Sequence, residues 1–252
     1  MSLLPLNIKT LELPEKVEKI LGSDAAFRKI TADGETEIYC AGGNGLYLKT
    51  GEAGSLKSEA EMTAFLHGKN LAAEVVDYVS EDKDYLIMAA IAGIDGGRKC
   101  FADRPRMLCD RLAQALRTLH EVDLSDCPVT LSHTVSDDGF DSGIAEYIGI
   151  DSRESALSAF EKAKGLLKND VVVHGGFCPE NVLFCDFKLS GFINLGLSGS
   201  GDRHIDIVGG AYSLMKLLGT DSYKERFFDA YGRELIDSDR LSAAGLMLAF
   251  QA

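Results

Sequence analysis

The sequence predicts an α+β protein in which a small antiparallel sheet with one helix precedes a mainly helical remainder. Short apolar runs separated by turn residues occupy residues 27–50, a pattern typical of antiparallel hairpins. After the glycine-rich connector at 92–97, apolar residues recur at helical spacing, first over residues 103–123. This change of pattern predicts two domains, residues 1–93 and residues 94–252.

The N-terminal domain begins with a predicted helix over 14–22, which starts at a proline and ends at a glycine. The next helix, SLKSEAEMTAFLHGKN, places its apolar residues on one face. Turns at ADGE, GGN and EDKD separate runs that predict the strands FRKIT, TEIYCA, LYLKT, AEVVDYVS and DYLIMAAI.

The C-terminal domain is predicted to be mainly helical. Its first helix covers 103–123, with Asp103 as the expected N-cap. The strand VVVHGG and the hairpin FCDFKLSGFIN interrupt the helical pattern. The remaining predicted helices are SRESALSAFEKAKGLLK, IDIVGGAYSLMKLLG and SYKERFFDAYGREL.

Composition and charge exclude several classes of function. The formal net charge of -13 argues against nonspecific nucleic-acid binding. The longest apolar runs fall short of the roughly 20 residues that a membrane-spanning helix needs. Six cysteines occur without CxxC pairs, and the N-terminus does not resemble a signal peptide. We therefore expect a cytoplasmic protein with reduced thiols, bound neither to nucleic acid nor to a membrane.

Several chemically informative residues follow one another in a meaningful order. Lys49 ends a predicted strand, and Glu59 lies on the next helix. His174 opens a loop that reaches Asn181, and Asn194 lies on the second strand of the following hairpin. Phosphoryl transfer needs a lysine on the nucleotide phosphates, a glutamate to hold that lysine, a base, and oxygen ligands for magnesium. The order of these residues indicates that chemistry.

The chain resembles an aminoglycoside 3'-phosphotransferase, a family of antibiotic-resistance enzymes related to the protein kinases. The resemblance is carried by LYLK at 46–49, HEVDLSDCP at 120–128, SGFINLG at 190–196 and DRHIDI at 202–207. It implies a two-lobed, protein-kinase-like fold with a small antiparallel-sheet N-lobe and a mainly helical C-lobe. It also implies ATP with Mg²⁺ as cofactor and transfer to an aminoglycoside hydroxyl.

The resemblance also implies roles for individual residues of the N-lobe and of the metal site. Lys49 matches the lysine that binds the nucleotide phosphates, and Glu59 matches its ion-pair partner. The backbone groups of Ala89 and Ile91 match the hinge that meets adenine. Asn181 matches the family's magnesium asparagine.

Three further segments match parts that shape the site. His174 and Asp206 match residues that hold the catalytic loop, so both are expected to be structural. The turn ADGET at 32–36 matches the loop that covers the phosphates.

The sequence departs from the family at two positions where phosphoryl transfer uses a carboxylate. Gly176 stands where the family has the aspartate base, which is worth roughly 10²- to 10⁴-fold in rate. Asn194 stands where the family has a metal-binding aspartate. Magnesium favours carboxylates, so the metal site is expected to be weak.

The acceptor site also departs from the family. The segment between Tyr147 and Val171 is shorter than the resemblance implies. Met247 and Leu248 fall about where the family has acidic residues near its C-terminus. The acids that remain in the shortened segment are interpreted as ordinary helix charges: Asp151, Glu154 and Glu161.

Three hypotheses stay open at this point, and the acceptor is unknown in all of them. The first is a pseudo-phosphotransferase, or pseudokinase, that is catalytically impaired and retains ATP binding. The second is an active ATP-dependent phosphotransferase that acts on an aminoglycoside or another small hydroxyl acceptor, with Glu180 or Asp186 as a substitute acid. The third is a partner-binding domain whose nucleotide site is vestigial.

Overall fold

The structure, a computed structural model, describes residues 6–7, 13–22, 26–33, 36–41, 45–136 and 139–251. The chain divides into two compact units, residues 1–91 and residues 92–252. The division falls two residues before the predicted boundary, within the segment that leads into the glycine-rich connector.

Unit 1 is built around an antiparallel sheet with the strand order β1-β2-β3-β4-β6-β5. The predicted turn EDKD joins β5 to β6, which pair as neighbours with Val79 opposite Tyr85. Strand β6 also pairs with β4, which is distant from it in the chain, with Leu48 opposite Ile87. The elements of unit 1 are β1 (Leu6–Asn7), α1 (Glu15–Leu21), β2 (Ala26–Asp33), β3 (Thr36–Ala41), β4 (Leu46–Glu52), α2 (Lys57–His67), β5 (Val75–Ser80) and β6 (Lys83–Ala89).

The buried face of this sheet packs against helix α1. Val17 and Leu21 of α1 are fully buried and join Phe27, Leu48 and Ile87 of the sheet in one apolar cluster. Pro14 precedes the helix and Gly22 ends it, as the sequence predicts. This packing fixes β4, the strand that carries Lys49.

Unit 2 is mainly helical, with two small sheets of orders β10-β9-β7 and β11-β8. Its elements are β7 (Ile94–Asp95), α3 (Lys99–Ala102), α4 (Pro105–His120), α5 (Ser142–Tyr147), α6 (Arg153–Ala163), β8 (Val171–Val173), β9 (Val182–Cys185), β10 (Lys188–Phe192), β11 (Gly199–Gly201), α7 (Arg203–Leu218), α8 (Lys224–Tyr231) and α9 (Ser238–Leu248).

The C-terminal residues contribute to the core of unit 2. Met247, Leu248 and Phe250 are buried with Phe160 of α6 and Ile205 of α7 in one apolar cluster. The two positions where acids would be expected from the family are therefore packed in apolar surroundings, where an unpaired carboxylate would be costly.

Three local predictions are wrong. Asp103 does not cap the first long helix of unit 2: α4 begins at Pro105, because proline is favoured in the first helical turn, and Asp103 instead ends the short helix α3. Lys49 lies inside β4, which continues to Glu52. Asn194 lies beyond the end of β10, because its backbone takes a left-handed conformation that no strand contains.

Within the part of the chain that the structure describes, no helix combines the length and the apolar character needed to cross a bilayer.

Candidate active site

The backbone of the loop after β8 is held by a buried carboxylate. Asp206, in the first turn of α7, accepts hydrogen bonds from the backbone N–H of His174 to Oδ2 (2.7 Å) and of Gly175 to Oδ1 (2.9 Å). Asp206 and His174 are both 0% exposed. Hydrogen bonds to a charged acceptor are about twice as strong as neutral ones, so this carboxylate anchors the start of the loop.

Asp206 is itself oriented from a second helix. His120, at the end of α4, places Nε2 at 3.1 Å from Asp206 Oδ2 and Nδ1 at 2.8 Å from the Tyr231 hydroxyl oxygen. Burial lowers the pKa of His120 even though the Asp206 carboxylate opposes this shift. The imidazole is therefore neutral, and it donates from Nε2 to Asp206 and accepts from Tyr231 at Nδ1.

The His174 ring links the loop to the segment that follows β10. Its Nε2 lies 3.0 Å from the Ile193 carbonyl oxygen, and its Nδ1 accepts from the Gly176 N–H at 3.3 Å. A carbonyl oxygen can only accept, so Nε2 carries the proton. The ring thus fixes the two ends of the candidate site, Gly176 and Ile193, relative to each other.

The two glycines of the loop differ in what they require. Gly175 has φ +80°, and a Cβ at this position would lie 2.0 Å from the Leu197 carbonyl oxygen. A Cβ at Gly176 would instead meet only ordinary contacts, 3.9 Å from His174 Nδ1 and 4.0 Å from Leu197 Cδ1. Gly175 is therefore required by the backbone, whereas Gly176 occupies a position that a larger side chain could fill.

The two candidate metal ligands bind each other. Asn194 Nδ2 donates to Asn181 Oδ1 at 2.7 Å, and Asn181 Nδ2 donates to the Gly176 carbonyl oxygen at 2.9 Å. A backbone hydrogen bond from Ile193 N–H to the Asn181 carbonyl oxygen (3.1 Å) lies beside this pair. The oxygen with which Asn181 would bind a cation is thus occupied by an amide donor.

These residues do not fit the magnesium site that the family implies. Both side chains are neutral, whereas magnesium in proteins is held mainly by carboxylates and substrate phosphates. One acceptor position of the Asn181 oxygen is already used by the Asn194 amide. Among the described residues there is also no group of three or more His, Cys, Asp or Glu side chains arranged to hold a metal ion.

The two acids considered as substitutes lie elsewhere. The Glu180 side chain runs along Gly97, where an added Cβ would lie 2.8 Å from Glu180 Cγ. Burial, together with the charge of Glu180, raises the pKa of the Cys178 thiol to about 11. Asp186 lies at the tip of the β9–β10 hairpin with φ 48° and is exposed. The structure brings neither acid to the position of Gly176.

A pocket of about 270 Å³ lies beside Gly176 within unit 2. Its wall includes one carboxylate that the sequence analysis missed, Asp141, the N-cap of α5. Asp141 Oδ1 already accepts from the backbone N–H of Gly143 (2.7 Å) and of Ile144 (3.1 Å). The rest of the lining is largely apolar or backbone: Ile144, Gly175, Phe177, Cys178, Leu197, Ile205, Gly209, Tyr212, Ser213, Leu248 and Gln251.

The acids of the shortened segment do not line this pocket. Asp151, Glu154 and Glu161 are exposed, and Glu161 pairs with Lys164 at 2.6 Å. Of the three, Asp151 contributes to the wall of a separate pocket of about 280 Å³ near α5.

In unit 1, Lys49 and Glu59 form a buried ion pair, with Lys49 Nζ at 2.6 Å from Glu59 Oε2. Their side chains are only 11% and 5% exposed. The start of α2, which carries Glu59, is held by Asp84, a residue that the sequence analysis missed. Asp84 accepts from the backbone N–H of Gly54 (2.9 Å) and Leu56 (2.8 Å). Burial would raise the pKa of Asp84, but hydrogen bonds from the Ser80 side chain, these two N–H groups and the Tyr78 hydroxyl outweigh it and lower the pKa.

The predicted hinge residues lie at the end of the sheet of unit 1. Ala89 is the last residue of β6, and its N–H donates to the Glu74 carbonyl oxygen at 2.9 Å. The N–H of Ala90 donates to the Gly45 carbonyl oxygen at 2.7 Å, and Ile91 follows. The Ala89 amide is thus already used. Of the predicted phosphate-covering turn, residues 34–35 lie outside the described residues.

Similarity to known proteins covers both units. The model of the phosphotransferase enzyme family (APH) matches residues 43–246. A probable aminoglycoside 3'-phosphotransferase of Lactococcus lactis is 36% identical over 257 residues, which cover 97% of each chain. An aminoglycoside 3'-phosphotransferase of Niallia circulans is 28% identical and covers 94% of this chain and 96% of its own.

Solved structures show the same fold. The aminoglycoside phosphotransferase APH(3'')-Id of Streptomyces rimosus, in complex with ADP and streptomycin, superposes with a TM-score of 0.67 at 20% identity. The match covers 90% of this chain and 92% of that one. The fold is therefore the kinase-like fold of these enzymes, as the sequence predicts. The chain belongs to the phosphotransferase enzyme family, among relatives of the aminoglycoside 3'-phosphotransferases.

Proposed function

We propose that this chain is a pseudo-phosphotransferase, which binds adenine nucleotide and transfers its phosphate slowly or not at all. One observation carries the proposal. The loop around Gly176 keeps its anchors, Asp206 and His174, yet has no side chain where the family places its base. A phosphotransferase without a base is expected to lose roughly 10²- to 10⁴-fold in rate.

Retained nucleotide binding is supported by unit 1. Lys49 and Glu59 form a buried ion pair, and such pairs cost desolvation energy that an apolar pair of the same size would avoid. A phosphate bound beside Lys49 gives a reason to keep the pair. Because the Ala89 N–H already donates to Glu74, the carbonyl of Ala89 and the N–H of Ile91 are the groups that would meet adenine. A similar solved structure contains ADP.

A polycationic acceptor is poorly matched by the pocket beside Gly176. The wall of this pocket carries one carboxylate, Asp141, and is otherwise mainly apolar. Met247 and Leu248, at the positions where the family has acids, are buried in the core. We therefore propose that aminoglycosides, which carry several positive charges, are not efficient acceptors of this chain.

Nucleotide binding can be tested with two double variants, each of which removes one ion pair of unit 1. Lys49→Met/Glu59→Leu removes both charges of the buried pair, which avoids leaving one charge buried alone. Lys57→Met/Glu61→Leu removes an exposed pair with 67% and 43% exposed side chains. We expect calorimetry with ADP to show at least a tenfold loss of affinity for the first variant and less than a twofold change for the second.

The same titration decides between binding hypotheses. Equal affinity of the two double variants would show that nucleotide does not use Lys49. Absence of binding to the unaltered protein at millimolar ADP would favour the third hypothesis, a partner-binding domain with a vestigial nucleotide site.

Catalytic impairment can be tested by repair. Gly176→Asp/Asn194→Asp restores both family carboxylates, and the local packing leaves room for the first. Turnover of ATP with and without a panel of aminoglycosides should rise by about 10²-fold or more if the missing groups limit the rate. A gain in ATP hydrolysis without acceptor phosphorylation would locate the remaining defect in the acceptor pocket. Robust acceptor phosphorylation by the unaltered protein would contradict impairment.

A second candidate, an active phosphotransferase with a non-standard base, is favoured by one observation. Asp141 lines the same pocket as Gly176, whereas Glu180 and Asp186 lie elsewhere. If the unaltered protein transfers phosphate, Asp141→Asn should abolish the activity, and Glu180→Ala and Asp186→Ala should leave it unchanged. Asparagine can still accept the capping bonds of α5, so a loss would report on chemistry and not on folding.

A further inference from the structure

The side chains of Asn181 and Asn194 close the loop by a direct hydrogen bond. Asn181 lies at the end of a 3₁₀ turn over residues 179–181, and Asn194 follows β10. The 2.7 Å bond between them joins these two segments at the place where the family implies a cation.

The orientation of both amides follows from the backbone. The Gly176 carbonyl can only accept, so Asn181 must present its NH₂ group to it, at 2.9 Å. The Oδ1 atom of Asn181 then faces Asn194. Two facing acceptors would repel, so Asn194 must present its NH₂ group in turn.

The backbone does not decide between asparagine and aspartate at position 194. Asn194 has φ 58° and ψ 54°, the left-handed conformation that Asn and Asp both tolerate. An aspartate here would place a carboxylate oxygen against Asn181 Oδ1, and a cation between the two oxygens would relieve that repulsion. The amide of Asn194 removes the need for one.

We propose that Asn194 replaces the family's bound cation with an N–H donor, so that the closed geometry of this loop is independent of magnesium. The closure consists of the relay from Asn194 through Asn181 to the Gly176 carbonyl. The proposal concerns the nucleotide-free protein and does not depend on whether nucleotide binds.

The test measures thermal unfolding of nucleotide-free protein at increasing Mg²⁺ for the unaltered chain and for Asn194→Asp. We expect Mg²⁺ to leave the unaltered Tm unchanged beyond its general salt effect, measured with an equal ionic strength of NaCl. Without magnesium, Asn194→Asp should lower the Tm by about 2–4 °C, because a hydrogen bond between exposed side chains is exchanged for a repulsive contact. Magnesium at about ten times its dissociation constant should then restore about 3 °C.

A matched control is available in Asn70→Asp. Asn70 also has a left-handed backbone, with φ 60°, and is exposed. This variant makes the same chemical change in the same conformation, so it should show neither the loss nor the magnesium response.

A second variant keeps the proposal testable if Asn194→Asp does not fold. Asn194→Gly keeps the left-handed backbone and removes the donor without adding a charge. It should lower the Tm without creating a magnesium response. Two results would overturn the proposal. One is a magnesium-specific rise in the Tm of the unaltered protein that is lost in Asn194→Gly. The other is an Asn194→Asp variant that folds but whose Tm does not change with magnesium.

Discussion

Two sets of residues in the candidate loop differ in how closely they match the family: the framework that holds the loop, and the two positions where the resemblance implies carboxylates. The framework is complete: Asp206 holds the backbone of the loop, and His174 ties the loop to the segment after β10. The two positions where the resemblance implies carboxylates carry no charge, with no side chain at Gly176 and a neutral amide at Asn194. The residues that hold this loop are thus different from the residues at the two positions where our proposal places the lost chemistry.

The framework is retained because its loss would affect folding. Asp206 is fully buried and satisfies two backbone donors, so the loop cannot lose it without leaving those donors unpaired. At Gly176, by contrast, an added side chain would meet only ordinary van der Waals contacts, so the fold does not require glycine there. Substitutions in the two groups should therefore have very different effects on stability, and the predictions below run from the largest effect to the smallest.

The largest effect is expected for Gly175→Ala. The added Cβ would lie 2.0 Å from the Leu197 carbonyl oxygen, and φ +80° disfavours any side chain. Since backbone must move to relieve such a contact, we expect a loss of about 4 kcal/mol or more in the free energy of unfolding. Urea denaturation followed by circular dichroism measures it, and a loss below about 1 kcal/mol would show that the loop is not packed as described.

The next effect is expected for Asp206→Asn. One carboxylate oxygen accepts the backbone N–H of His174, and the other accepts the N–H of Gly175. An asparagine in either orientation would therefore place its NH₂ group against one of these two N–H donors. We expect a loss of about 3 kcal/mol by denaturation, since a buried donor is left unsatisfied. Asp186→Asn, an exposed aspartate at a hairpin tip, is the control and should change stability by less than about 0.5 kcal/mol.

Much of the fold and part of the loop can be predicted from the sequence. The strands of unit 1 and the long helices of unit 2 follow from apolar periodicity, and the local spacing of the loop motif places His174, Gly176 and Asn181 in one segment. The resemblance of the chain to the family predicts that Asp206 holds the loop. Asp206 is oriented by His120, which in turn contacts Tyr231. These contacts depend on the packing of helices that are distant in the chain, and no local sequence pattern predicts them.

Other features could not be predicted because they depend on orientation or on long-range packing. The sequence places Asn181 and Asn194 near each other, but not which atom of each amide faces the other. Asp141 is far from Gly176 in the chain and reaches the same pocket only through the packing of α5. In the sequence Asp84 is an ordinary acid at the start of the predicted strand DYLIMAAI. Its bonds to the start of α2 depend on how this strand lies beside α2 in the folded unit.

An intermediate effect is expected from acid. Asp202, the buried N-cap of α7, would have a raised pKa from burial alone, but donors from His204, Lys168 and Arg240 hold its pKa at about 2. A depressed pKa stabilises the fold above the unfolded value of 3.8, and that contribution disappears as the pH falls towards 2. We expect about 2 kcal/mol to be lost in this window.

The acid prediction is checked by urea denaturation at pH 5, 4, 3 and 2. Asp202→Asn should be less stable at pH 5 and should show a shallower decline below pH 4, because the titrating group is gone. An equally steep decline in this variant would assign the acid sensitivity to other carboxylates.

The smallest effect is expected at Gly176, the position to which the proposed function assigns the missing base. A Cβ there has ordinary van der Waals distances to His174 and Leu197, so Gly176→Ala should change the free energy of unfolding by less than about 0.5 kcal/mol. Gly176→Asp should also fold, with a loss of about 1 kcal/mol or less, since its carboxylate can extend into the pocket. Parallel urea titrations of Gly175→Ala and Gly176→Ala measure the contrast directly. If both variants lost several kcal/mol, Gly176 would be a requirement of the fold, and the missing base could no longer be separated from the framework of the loop.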